Sequence, residues 1–150
     1  MSVNRIDVDA SPHDVFAVLT DPEAYVDWVL GAKRVRAVDP EWPAPGSRFH
    51  HAVGAPGVEL KDSTKILRIE PDRVLELQAR FRPLGEALVK LELEPLAGGR
   101  RTRITMREEP KGKVPQPFGF VLDIATSARN ALSLRTLARL GRERAARAAG

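Results

Sequence analysis

The sequence predicts an α+β protein in which a curved antiparallel sheet of about six to seven strands grips one long C-terminal helix, with two short helices after strand one. Three observations predict it. Apolar and polar residues alternate through the middle of the chain, three- and four-residue spacing takes over after Pro117, and two proline-marked helix starts follow the first alternating segment.

The elements follow in order. Ser2 to Asp9 sets Val3, Ile6 and Val8 against Asn4, Asp7 and Asp9, a half-buried strand with one irregularity near Arg5. Ser11-Pro12-His13-Asp14 is a helix start: a serine cap, proline at the first helical position and an acid in the first turn. Asp21-Pro22-Glu23 repeats that signal before Tyr25, Val26, Trp28 and Val29. Val35 and Val38 mark the next strand, and Pro40 to Gly46 is a proline-rich turn. Ser47 to Val53 places Phe49, His51 and Val53 on one face. Val58 to Glu70 reads as a longer strand in which Ile66, Leu67 and Ile69 fail to alternate, the mark of a bulge.

Three cleaner strands come next. Leu75, Leu77, Ala79 and Phe81 share a face, as do Ala87, Val89, Leu91 and Leu93, and then Thr102, Ile104, Met106 and Glu108. Gly98-Gly99 predicts a tight hairpin between the last two. Such alternation implies one wet and one covered face. The cover is a helix from about Gln116 to Arg147, whose buried side is expected to run through Phe118, Val121, Leu122, Ala125, Ala128 and Leu132, then Leu134, Leu137 and Leu140 in rotated phase. A bent sheet around one helix encloses more space than the helix fills, and small residues at Gly119, Ala125 and Ala128 are expected to leave an internal cavity.

A chain of 150 residues fits one domain spanning 1–150. That length buries about 70% of its unfolded surface without metals or disulfides. The absence of cysteine excludes disulfides, cysteine-bound zinc and thiol catalysis. No stretch resembles a secretory leader or approaches the roughly 20 apolar residues of a membrane span, so a cytoplasmic location is expected. The net charge of +4 is concentrated late, at Arg135, Arg139, Arg142, Arg144 and Arg147, where cations complement a helix C-terminus. Aromatic content of 5% offers no stacking surface for bases, so no nucleic-acid partner is expected.

Several strings carry a resemblance: Ala10-Ser11-Pro12-His13-Asp14-Val15-Phe16, Asp21-Pro22-Glu23-Ala24-Tyr25 with Trp28, Gly46-Ser47-Arg48-Phe49, Ile69-Glu70-Pro71-Asp72-Arg73-Val74-Leu75, Glu108-Glu109-Pro110, and Arg129-Asn130. Over essentially its whole length the chain resembles the START-like, or Bet v 1-like, superfamily with its helix-grip fold, and within it the bacterial polyketide cyclase/dehydrase group. The resemblance implies binding or transport of a hydrophobic small molecule (a lipid, polyketide or isoprenoid-like compound). The alternative it implies is a cyclase or dehydratase acting on an aromatic or enolisable substrate. It implies no cofactor, and it identifies no catalytic residue here.

The inward faces nominate the cavity wall: Trp28, Phe49, His51, Leu77, Phe81, Val89, Leu91, Ile104, Met106, Glu108, Phe118, Leu122, Ala125 and Arg129. His50 and His51 are adjacent on a strand and point oppositely, so they cannot share a metal, and no metal site is expected. His51 reads either as a proton carrier for a ligand or as a satisfied interior histidine. Glu108 and Arg129 read either as an ion pair or as a polar end-wall that orients a ligand. Phe118, Phe120 and Trp42, in or beside proline-rich loops, are candidates for gating an entrance.

Overall fold

The computed structural model describes residues 1–30, 32–55, 57–81, 85–112 and 118–149. Seven strands form one antiparallel sheet: β1 (Ser2–Val8), β2 (Ala32–Val38), β3 (Arg48–Ala55), β4 (Val58–Glu70), β5 (Val74–Phe81), β6 (Gly85–Leu96) and β7 (Arg101–Pro110). Their order across the sheet is β1-β7-β6-β5-β4-β3-β2, so the first strand pairs with the last. Helices α1 (Pro12–Leu19) and α2 (Pro22–Trp28) follow β1, and α3 (Phe118–Ala149) closes the fold. This is the predicted helix-grip arrangement.

Local chemistry explains the short helices. Ser11 accepts from the Asp14 amide and Asp21 from the Glu23 amide, and a proline opens each helix where its missing N–H costs nothing. The expected bulge is present in β4: the register slips between Ile66 and Arg68, so Ile66 faces the core while Leu67 is exposed. The predicted tight hairpin between β6 and β7 is present, and its turn is a short 3-10 segment over Ala97–Gly99. Its three residues all have positive φ (50°, 68° and 87°), which suits glycine at the last two.

Register partners in an antiparallel sheet point to the same side. Ile6, Ile104 and Leu93 therefore stack inward, as do Met106 with Leu91, Val89 with Leu77, and Thr64 with Phe49. β1 departs from expectation. Ser2, Asn4, Ile6 and Val8 face inward and Val3 is exposed, because the strict alternation of the strand overrides Val3's hydrophobicity.

Helix α3 departs from expectation in its first half, while Leu134 and Leu137 are buried as expected. Its inward face runs through Asn130, Ser133, Leu134, Leu137, Ala138 and Gly141, while Ala125, Ala128 and Leu132 face solvent. The two polar residues in that stripe disguised its phase. Asn4 Nδ2 donates to the Ser127 carbonyl at 3.0 Å and helps fix this rotation. Where α3 crosses α1, a Cβ added to Gly141 would lie 3.5 Å from Val15 and 3.6 Å from Val8, ordinary packing distances. Gly141→Ala is therefore expected to raise stability by about 0.5–1 kcal/mol through helix propensity, measured as a higher urea midpoint at unchanged m-value.

Candidate ligand cavity

A partly open cavity of about 220 Å³ lies between the concave face of the sheet, α2 and α3. Its described lining is Tyr25, Trp28, Val29 and Leu30 from α2 and its exit, Thr64, Leu77, Ala79, Val89, Met106 and Glu108 from β4 to β7, and Arg129, Asn130 and Ser133 from α3. The space arises where small side chains meet. Thr64 pairs with Ala79 and Ala79 with Ala87, so the middle of the sheet carries no large side chain at that level, and Ser133 faces them from the helix. The expected source of space, Ala125 and Ala128, is turned outward.

Of the residues nominated from sequence, Trp28, Leu77, Val89, Met106, Glu108 and Arg129 lie on this wall. Phe49, Leu91 and Ile104 are core residues that do not line it; Phe49 is taken up by edge contacts with Tyr25 (4.6 Å) and Trp42 (4.9 Å). Ala125 is exposed and lines nothing described. The side chains of Phe81, Phe118, Phe120 and Leu122 lie outside the described residues. Trp42 does not gate this cavity, since its indole N–H donates to the Thr20 carbonyl at 2.8 Å and its ring packs on Phe49. Tyr25, Thr64, Asn130 and Ser133 were missed. Thr64 lies on the strand whose register the sequence left open, and the helix positions followed the mistaken phase.

One end of the cavity is strongly polar. Arg129 Nη2 donates to both oxygens of Glu108, at 2.7 and 2.6 Å, and Asn130 Nδ2 donates to Glu108 Oε2 at 2.8 Å. Glu108 is 5% exposed. A carboxylate so buried needs such partners, because desolvation alone costs several kcal/mol. Both carboxylate oxygens are engaged, so the pair presents a fixed dipole to the cavity.

The other polar group sits behind the wall. His51 Nε2 lies 3.0 Å from Thr64 Oγ1, and the His51 ring packs against that of Tyr25 with centroids 5.2 Å apart. Burial lowers the His51 pKa from 6.5 to about 4, opposed by Asp62 and reinforced by Arg36 and His50. Burial likewise raises the Tyr25 phenol, so it stays protonated. His51 is thus a neutral interior histidine. Its folded pKa lies below its unfolded one, so protonation favours the unfolded chain, and stability falls as pH drops from about 6.5 towards 4. The full effect is on the order of 3 kcal/mol. In thermal melts across that range, His51→Gln is expected to flatten the slope; an unchanged slope would reject the assignment.

The chain matches, over residues 2–143, the family described as polyketide cyclase / dehydrase and lipid transport. It belongs to that family. No curated protein matches the chain. Protein NE0264 from Nitrosomonas europaea is 17% identical, with a TM-score of 0.72 over 94% of this chain and 93% of that one. Ara h 8.0201 is 15% identical, with a TM-score of 0.65 over 95% and 99%. The di-domain ARO/CYC StfQ from the steffimycin biosynthetic pathway is 14% identical, with a TM-score of 0.72 over 96% of this chain and 51% of its own. At these identities the similarity shows the shared fold alone. Among the described residues no helix is long and apolar enough to cross a membrane.

Proposed function

We propose that the protein binds a small, largely apolar molecule in the cavity between sheet and helix, with one polar end of that molecule turned to the Glu108–Arg129–Asn130 cluster. The observation that carries the proposal is the cavity itself. Its 220 Å³ equals about seven waters' share of liquid volume at ~30 Å³ each, bounded mainly by Leu77, Ala79, Val89, Met106 and Trp28. It falls just under the ~300–1,000 Å³ of drug-sized sites, so the fitting ligand is compact. Burial of its apolar surface, at roughly 25 cal/mol per Å², supplies the driving force before ordering costs. The family, whose description includes lipid transport, supports the same reading.

Binding fits the geometry better than a cyclase or dehydratase role. Glu108 is committed to Arg129 and Asn130, and His51 lies behind Thr64 and Tyr25, which line the cavity. Neither is placed to take a proton from a bound molecule. Mass spectrometry of the gently purified protein is expected to find a co-purified apolar compound that displaces a fluorescent apolar probe. Failure of any such probe to bind saturably would refute the proposal.

A further inference from the structure

Most arginines on the outer face of the sheet meet a carboxylate, but two on neighbouring strands at one end do not. Around β1 and β5–β7 arginines meet carboxylates across the strands: Arg101 with Asp9 (2.7 Å), Arg103 with Asp7 (2.9 Å) and Arg107 with Glu92. Around β2–β4 Arg34 meets Glu59 (2.6 Å) and Arg68 meets Glu70, but among the described residues the guanidinium groups of Arg36 and Arg48 meet no carboxylate. Arg36 spends Nε on the His51 carbonyl and Nη2 on the Asp62 carbonyl, both at 3.2 Å, and Arg48 Nη1 donates to the Ser63 hydroxyl at 3.3 Å. These acceptors orient the guanidinium groups without neutralising them.

The backbone explains the convergence. β2 is bulged between Val35 and Ala37, which frees Arg36 from the alternation and lets it reach across β3 to β4. His50 pairs with Ser63 in the register, and Arg48 and Arg80 flank them on the same outer side. Together Arg36, Arg48, His50, Ser63 and Arg80 surround a hollow of about 330 Å³. Asp62 also borders it, but its register partner is His51, so its side chain is directed to the inner side. Arg80 lies 3.2 Å from Glu86 and His50 3.6 Å from Asp39, whereas among the described residues no carboxylate oxygen lies within ion-pair distance of the Arg36 or Arg48 guanidinium. Ser63 is 5% exposed although it points outward, so its hydroxyl forms the floor beneath the charged side chains.

We propose that this hollow is a second binding site, for the phosphate group of a phosphomonoester, with Arg36 and Arg48 as the principal ligands, Arg80 and His50 at the sides and Ser63 at the base. A phosphomonoester carries close to two negative charges at neutral pH and three acceptor oxygens, which suits several convergent N–H donors better than a single carboxylate does. Guanidinium groups already held by strand carbonyls lose little freedom on binding such a group. The site faces away from the apolar cavity and does not depend on it.

Titration with inorganic phosphate at low ionic strength, followed by amide NMR shifts, is expected to saturate with Kd near or below about 1 mM and to perturb residues of β2–β4 around Ser63. Arg36→Met and Arg48→Met are each expected to weaken binding about tenfold or more, whereas Arg103→Met, paired with Asp7 far from the hollow on the same face, leaves it unchanged. If loss of the two carbonyl contacts makes Arg36→Met unfold, Arg48→Met and the wild-type shift map decide the matter. Glycerol phosphate and phosphatidate vesicles then separate a soluble ester from a lipid headgroup as the source of the group. No saturation, equal binding of acetate, or an equal loss in Arg103→Met overturns the proposal. None of these outcomes bears on apolar probe binding in the inner cavity, which Arg48→Met is expected to leave intact.

Discussion

Arg129→Leu is expected to destabilise the protein by about 3 kcal/mol, several times more than Glu108→Gln at the other end of the same ion pair. The asymmetry follows from exposure. The Glu108 side chain is 6% exposed and that of Arg129 32%. Removing the arginine strands a carboxylate in the interior with Asn130 still donating to one of its oxygens, whereas removing the carboxylate leaves a guanidinium that can turn partly to water. The second loss is therefore closer to ~1 kcal/mol. Urea unfolding of both variants at neutral pH checks the order. Equal losses would mean that the pair is screened by solvent and does not form a rigid cavity end.

Ala79→Phe is expected to abolish probe binding, by at least about a hundredfold in affinity, while changing stability by no more than ~1–3 kcal/mol. Ala79 is 5% exposed, lies on the cavity wall and faces only Thr64 and Ala87 across the neighbouring strands, so a phenyl ring placed there enters the empty space. In most cores the same change would overpack. Here the ring occupies volume that the ligand needs. Fluorescence titration of an apolar probe against both proteins reads the result, and undiminished binding by a folded Ala79→Phe variant would place the ligand somewhere other than this cavity.

The elements were legible in the sequence because their signals are local. Ser11-Pro12 and Asp21-Pro22 define two helix starts through hydrogen bonds within four residues, and the disrupted order of Ile66, Leu67 and Ile69 marks the bulge. Inward positions on β5, β6 and β7 could be read for the same reason, since each strand keeps strict alternation. The phase of the helix before Leu134 could not, although Leu134 and Leu137 were placed correctly. Asn130 and Ser133 occupy its buried stripe because they serve Glu108 and the Leu30 amide, and a hydrophobic pattern counts such residues as solvent-facing. That error assigned Ala125 to the cavity and hid Ser133. Thr64 escaped notice because only pairing with Phe49 and Ala79 shows which way it points. The pairing of Glu108 with Arg129 was anticipated from cost alone, as two inward charges each need a partner.

The placement of β1 beside β7 has a consequence for biosynthesis. Hairpins from β2 to β7 can zip up as they leave the ribosome, but β1 must wait for a partner made almost a hundred residues later. At ~5–20 residues per second that delay is roughly 5–20 s, during which Ile6 and Val8 have no strand to cover them. Arg5, Asp7 and Asp9, interleaved with those residues, keep the waiting segment charged and so discourage it from pairing with another nascent copy.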